Sequence, residues 1–254
     1  LNVKSGNYFD NQTILITGAS SGIGLNLAIE LSNLGAKLIL CGRNQERLDK
    51  VKRMCVNHSE LIVGDLLEVS TQVKIRESVS RNQISLAILN AGTNDYMDAD
   101  QFNADRTNNL MIQNYFSMTH CIEAVLPALL KSKGQLALMS SLAAYGGMPR
   151  SAAYCASKSA IRALSQSLDL ELRGKGVAVT CICPGFVKTP LTDVNTFQMP
   201  FLISPDKASS YIISGLRKKY HEIHFPKRFS LGMKLFMSLP SGVIYKVFSK
   251  LGMM

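Results

Sequence analysis

Thr17-Gly18-Ala19-Ser20-Ser21-Gly22-Ile23-Gly24 decides the fold of this chain. It follows the apolar run Ile14-Leu15-Ile16 and leads into Leu25 to Leu34, where apolar residues recur at helical spacing. Strand, glycine turn and helix in that order open a βαβ unit. Gly18 permits a tight turn, Gly22 lets backbone approach a ligand, and Gly24 lets the helix lie close to the sheet. The helix start offers unpaired N–H groups and a partial positive charge, which suits a pyrophosphate. The spacing, Gly-x-x-x-Gly-x-Gly, departs from the more widespread Gly-x-Gly-x-x-Gly pattern, so the loop taken alone also fits a purely structural turn.

The same alternation continues along the chain. Leu38-Ile39-Leu40, Leu61-Ile62-Val63, Leu86 to Leu89, Gln135 to Met139, Val177 to Ile182 and Glu222 to Phe225 are short apolar runs separated by longer amphipathic stretches. Runs this apolar read as parallel strands covered on both faces. The pattern predicts an α/β, doubly wound, Rossmann-type parallel sheet of about seven strands with helices on both sides. Residues 1–225 form one such domain, and 226–254 a basic, apolar, helical appendage. In such sheets ligands sit beyond the carboxyl ends of the strands.

Composition narrows the class. Apolar residues are 46% of the 254 and charged residues 18%, which suits a large buried core and argues against disorder. The six cysteines (41, 55, 121, 155, 181 and 183) have no zinc or redox spacing and read as reduced thiols of a cytosolic protein. Of the four histidines only His221 and His224 lie close, too few for a metal site, so none is expected. The net charge is +10, and from Ile223 onward there are five bases and no acid. No aromatic-basic interleaving marks a nucleic-acid face. Leu1 to Asp10 is polar rather than signal-like, and no uncharged run spans a bilayer.

Two further stretches carry chemistry. The second strand ends Cys41-Gly42-Arg43, where proteins using NAD usually place an acid for the ribose 2′-hydroxyl. Arg43 instead presents a guanidinium to a 2′-phosphate, and Ser20 adds a hydrogen bond, so NADP(H) is preferred over NAD(H). After the fifth strand come Ser140-Ser141, and then Tyr154-Cys155-Ala156-Ser157-Lys158 opens a helix. Tyr154 and Lys158, four apart, share one helix face. An ammonium beside a phenol favours the phenolate, making Tyr154 a proton donor or acceptor at a carbonyl oxygen. Ser141 is placed to hydrogen-bond that oxygen.

These motifs jointly resemble the short-chain dehydrogenases/reductases, the branch with about 250 residues per subunit. The match runs from about Thr13 to Pro190 and includes the glycine loop, with Ser20, Ser21 and Ile23 among its ligand-facing positions. It includes Asp65-Leu66 near the adenine, Asn90-Ala91-Gly92 after the fourth strand, and Asn114 within a helix. Ser141, Tyr154 and Lys158 complete the tetrad, and Pro184-Gly185 with Val187 and Thr189 matches the segment holding the carboxamide. The resemblance implies Tyr154 as general acid/base, and Lys158 as the residue lowering its pKa while binding ribose. It implies Ser141 as the orienter and Asn114 as holder of a relay water. Two positions depart from the family: Leu89 replaces a second Asn, and Ser21 stands where many NADP-preferring members carry a base.

The resemblance implies a small-molecule carbonyl or alcohol substrate, which the apolar residues between Pro190 and Ser204 would suit if hydrophobic. It also implies a homodimer or homotetramer through helices Arg106 to Lys131 and Ser151 to Arg173. Other readings stay open: a dinucleotide-binding sensor or scaffold, and NADP-dependent epimerisation. The tail from Pro226 fits either a peripheral anchor of a cytoplasmic protein on an anionic leaflet or packing on protein beside the pocket or on a second subunit.

Overall fold

Strand residues alternate between two apolar layers, and that alternation sets the architecture. Ile14, Ile16, Leu38, Leu40, Leu86 and Ile88 face one core; Leu15, Ile39, Ala87, Leu136, Leu138 and Val179 face the other. Burying both faces forces helices onto both sides. The computed structural model describes residues 7–193, 195 and 197–250. Its strands are β1 (Thr13–Thr17), β2 (Lys37–Gly42), β3 (Ser59–Val63), β4 (Leu86–Leu89), β5 (Gln135–Met139), β6 (Ala178–Pro184) and β7 (Glu222–Phe225). All pairs are parallel, in the order β3-β2-β1-β4-β5-β6-β7.

Helices α1 (Gly22–Asn33), α2 (Gln45–Met54) and α7 (Pro205–Arg217) share one side, where α1 packs on both others. On the other side α3 (Val69–Asn82) packs on α5 (Ser117–Ser132), and α4 (Ala104–Met111) on α6 (Ala152–Leu172). The expected single helix from Arg106 to Lys131 is interrupted: Ile112–Phe116 forms one π turn between α4 and α5. Such turns widen a helix locally and recur at functional sites. Pro240 divides the tail as expected, into α8 (Lys227–Met237) and α9 (Ser241–Lys250). Leu251 to Met254, the end of that tail, lie outside the described residues. No helix among the described residues is long and apolar enough to cross a membrane.

Strand order reverses between β1 and β4, so the chain diverges there and leaves a crevice at the carboxyl edge. A cavity of 1860 Å³ occupies that edge.

Candidate active site

The floor of the cavity is backbone. Gly18 and Gly22 adopt φ of +65° and +55°, a region that side chains oppose. A Cβ at Gly18 would meet the Ala91 Cα at 2.9 Å, and one at Gly24 would meet the Gly18 carbonyl oxygen at 2.3 Å. Gly18 and Gly24 are therefore required by a neighbouring backbone, and Gly22 by its own positive φ. Thr17 ties the two strands at the switch point: its Oγ1 accepts from the N–H groups of Asn90 and Ala91 at 3.0 and 3.2 Å. The Asn90 amide in turn donates to the Thr17 and Gly18 carbonyls at 3.1 and 3.3 Å. Ser21 precedes α1 without a side-chain cap, so the first N–H groups of that helix face the cavity floor unspent.

One end of the cavity is polar and cationic. Arg43 lies there, its side chain 73% exposed and Nη1 4.0 Å from Asp65 Oδ2. Arg47 and Asn44 stand beside it. Arg47 went unnoticed in the sequence, where it reads as one base among several in an exposed helix.

The middle holds the reactive constellation. Tyr154 lies in the first turn of α6 and Lys158 one turn on, with Nζ 5.7 Å from the phenol ring centroid. Lys158 is buried and donates to the Met139 carbonyl at 3.1 Å. Burial favours its neutral form and lowers its pKa to about 8. Burial likewise pushes the Tyr154 phenol up to about 12, against the lowering effect of a hydrogen bond with Ser141. The direction is opposite to the lowering expected from Lys158, because desolvation outweighs the Ser141 hydrogen bond, the one lowering influence on the phenol. Tyr154 is partly accessible as a residue because its edge lines the cavity.

Ser141 follows β5 and begins the turn Leu142–Tyr145, its Oγ accepting from the Ala143 N–H at 3.1 Å. Ser140, which sequence reasoning passed over, donates to the Lys158 carbonyl at 2.7 Å and ties β5 to α6. Asn114 sits inside the π turn, fully buried. Its Oδ1 accepts from the Thr93 N–H at 2.7 Å, and its Nδ2 donates to the Thr93 carbonyl at 2.9 Å and to Ser157 Oγ at 3.1 Å. A Cβ on Gly92 would stand 3.2 Å from both Asn114 Oδ1 and Lys158 Nζ, so these two groups converge across that glycine.

Nearly all the expected positions line this one cavity: Gly18, Ser20, Ser21, Gly22, Ile23, Arg43, Asp65, Leu66, Asn90, Ala91, Gly92, Ser141, Tyr154, Lys158, Pro184, Gly185, Val187 and Thr189. Gly24 and Asn114 stand behind the wall and act through their neighbours. Thr189 crosses the glycine loop, where a Cβ on Gly22 would touch its side chain at 3.2 Å. Val187 bridges Ile203, which ties together the two ends of the intervening segment; Val194 and Thr196 of that segment lie outside the described residues.

The opposite end is aromatic and aliphatic. Phe186 contacts Phe197 at a ring distance of 5.9 Å and stacks on Phe229 of α8 at 6.0 Å. Met233 and Phe236 of α8 and Phe248 of α9 continue this wall. Sequence reading placed part of it in Pro190 to Ser204 but assigned no individual residues of the tail. Nothing in an isolated Phe or Met distinguishes a pocket wall from core.

His221 turns to Asp169, while His224 Nδ1 meets Ser230 Oγ at 2.6 Å, so the two histidines serve separate elements. All six cysteines are free thiols.

Comparison with known proteins gives the family. The sequence model described as "short chain dehydrogenase" matches residues 12–199. An uncharacterised oxidoreductase of Myxococcus xanthus is 33% identical over 236 residues, covering 91% of this chain and 93% of its own. A Drosophila melanogaster protein named dehydrogenase/reductase SDR family protein 7-like is 31% identical over 205 residues, covering 74% of this chain and 61% of its own. Among solved structures, a short-chain dehydrogenase from Sphingobium yanoikuyae in complex with NADPH superposes with a TM-score of 0.79. It is 24% identical and covers 94% of this chain and 95% of its own, a likeness of fold.

Proposed function

The chain belongs to the short chain dehydrogenase family, and from that premise we propose that it is an NADP(H)-dependent oxidoreductase acting on an apolar carbonyl or alcohol, with Tyr154 moving the proton. The observation that carries the reading is the convergence of Ser141, Tyr154 and Lys158 on one cavity, directly above a glycine cradle.

The residues of the floor fit a dinucleotide. Gly18, Gly22 and Gly24 remove every Cβ that would obstruct a pyrophosphate, and the uncapped start of α1 supplies N–H donors. Two guanidiniums, Arg43 and Arg47, flank the end where a 2′-phosphate would lie, which favours NADP(H). Asp65, Leu66, Pro184, Gly185, Val187 and Thr189 all line the cavity, where the first two would border the adenine and the other four the nicotinamide. When bound, the cofactor donates or accepts the hydride at the substrate carbon.

The chain handles the proton. At neutral pH Tyr154 is protonated, because its pKa stands at about 12. It therefore donates to the carbonyl oxygen in reduction, and in oxidation it is the phenolate form, left when that proton has gone, that takes the alcohol proton back. Ser141 donates to the same oxygen and fixes its place between the two hydroxyls. Lys158, held by the Met139 carbonyl, is positioned to bind ribose hydroxyls and carry positive charge beneath the phenol. Asn114 fixes Thr93 through both amide atoms, and the second lone pair of its Oδ1 is the place for a relay water next to Lys158. The apolar end, with Phe186, Phe229 and Met233, selects a hydrophobic substrate.

Homodimerisation fits the outward faces of α5 and α6, where Leu130 is partly exposed and Leu170 is 85% exposed among the described residues. Light scattering at micromolar concentration is expected to give at least a dimer; a monomer would reject this assembly.

The deciding experiment is a spectrophotometric screen of NADPH and NADH oxidation over a panel of carbonyls, with NADP reduction over the matching alcohols. Turnover of apolar carbonyls with NADPH supports the proposal. Tight NADPH binding with no turnover on any substrate supports a dinucleotide-binding sensor instead.

A further inference from the structure

The two tail helices have two different faces, and only one is used by the fold. Phe229, Met233 and Phe236 of α8, with Val247 and Phe248 of α9, turn inward and wall the apolar end of the cavity. Lys234 also turns inward, donating to Glu222 at 2.5 Å. The outward face carries Leu231, Leu235, Leu239, Val243 and Tyr245, all exposed, with Leu235 at 69%. Arg228, Leu231 and Leu235 are three and four residues apart, one stripe of α8; Val243, Lys246 and Lys250 make the matching stripe of α9. Lys227, Arg228, Lys246 and Lys250 are exposed around these side chains, and residues 226–254 hold no acid.

We propose that this outward face docks on an anionic lipid surface and sets the apolar end of the cavity against the bilayer. Large apolar side chains ringed by bases, on short helices with no acid, are what an interfacial helix needs: apolar area for the acyl boundary and cations for the headgroups. A second copy of the chain is the poorer occupant. A two-fold contact would set this face against itself, opposing base to base with no acid between them. Docking has a consequence for substrate. The walls that select an apolar molecule are the inner faces of the same two helices, so a lipid-dissolved carbonyl enters without crossing bulk water. This delivery clause rests on the oxidoreductase reading; the docking clause does not.

The test uses the full chain and vesicles of phosphatidylcholine with or without phosphatidylserine. At low salt the protein is expected to sediment with phosphatidylserine vesicles, to remain largely in the supernatant with phosphatidylcholine alone, and to be released by salt of about 0.5 M. Lys246→Gln with Lys250→Gln is expected to lower partition roughly 30-fold, about five-fold per charge. Leu231→Ser with Leu235→Ser is expected to abolish it, and circular dichroism melting shows whether either pair still folds. Equal supernatant recovery with and without anionic vesicles overturns the proposal. So does unchanged partition of the folded variants, or a leucine pair that shifts the size of the vesicle-free protein and leaves partition alone. A long-chain aldehyde in vesicles, compared with a short water-soluble one, tests delivery: the leucine pair should raise KM for the first only. Vesicle binding without that selectivity rejects delivery, and absence of turnover with vesicle binding intact rejects the oxidoreductase reading alone.

Discussion

The two ends of the cavity are built by different means. The end beneath the glycine loop is backbone: an added carbon at Gly18 or Gly24 would strike a neighbouring main chain, and Gly22 holds a positive φ that side chains oppose. The far end is side chain: Phe186, Phe197, Phe229 and Met233 come from three separate segments and meet only through their rings and thioether. Backbone constraint restricts residue type at each position, whereas an apolar wall accepts any side chains of suitable volume. The first end is therefore rigid in chemistry and readable from sequence; the second is free to change with substrate. Variants that treat the ends alike or unalike test this division.

Tyr154 stands where the ends meet, and its loss should have the largest effect. Tyr154→Phe keeps the ring and removes the transferable proton, so kcat should fall by about 10²–10⁴. NADPH affinity, measured by fluorescence titration, should hardly move. Turnover near that of the unmodified enzyme would show that the meeting point has been misplaced. Lys158→Ala should lower both turnover and cofactor affinity, since Lys158 reaches toward both.

The next variant belongs to the polar end alone. Arg43→Ala should weaken NADPH by about 1.5–3 kcal/mol, or about 10- to 150-fold, the value of a charge-assisted contact. NADH should be little affected. Equal losses for the two cofactors, or a preference for NADH in the unmodified enzyme, would reject Arg43 as the 2′-phosphate partner. Arg47, beside it in the cavity, sets a limit on the loss, because one guanidinium remains.

A truncation at the apolar end should behave differently. Met233→Ala removes wall without touching cofactor or Tyr154, so KM for a bulky carbonyl should change by about ten-fold, as expected for a few methylenes of contact. NADPH affinity should stay fixed. A parallel loss of NADPH affinity would mean that the ends are not separable.

The same division explains what could be read in advance. The seven strands were legible because each is a short apolar run, whereas the reversal of strand order between β1 and β4 is visible only in the assembled sheet. Ser141, Tyr154 and Lys158 were legible by residue type and spacing. The direction of the Tyr154 shift was not, because burial of a phenol depends on everything packed around it. The π turn at Asn114 was hidden inside what reads as one continuous helix. The inward roles of Phe229, Met233 and Phe236 were hidden because the tail has amphipathic periodicity on both faces. Packing beside the pocket and docking on an anionic surface would use opposite sides of the same helices, so periodicity alone does not choose between them.

The smallest expected effect concerns what holds the apolar wall in place. Glu222 of β7 accepts from Lys234 of α8 at 2.5 Å, from Arg162 of α6 at 2.9 Å, and from the Tyr145 hydroxyl at 3.0 Å. Burial pushes this carboxyl up, but the hydrogen bonds from Lys234 and Arg162 and the charge of Arg162 together outweigh it and hold the pKa below the ordinary value. A carboxyl depressed on folding stabilises the protein above its unfolded pKa. That stabilisation is lost as pH falls from the ordinary carboxylate range through the folded value. Thermal stability should therefore drop on acidification below about pH 4.5, where the unfolded carboxyl begins to bind protons first. Glu222→Gln should remove part of this dependence and cost about 1–2 kcal/mol at neutral pH, an ion pair half-shielded from water. Because Lys234 then loses its anchor, α8 should sit less firmly over the cavity. KM for a bulky carbonyl should rise a few-fold, while NADPH affinity, set by the glycine loop, Arg43 and Lys158, should not. A melting profile with the same acid limb in Glu222→Gln as in the unmodified chain would show that the wall is held by apolar packing alone.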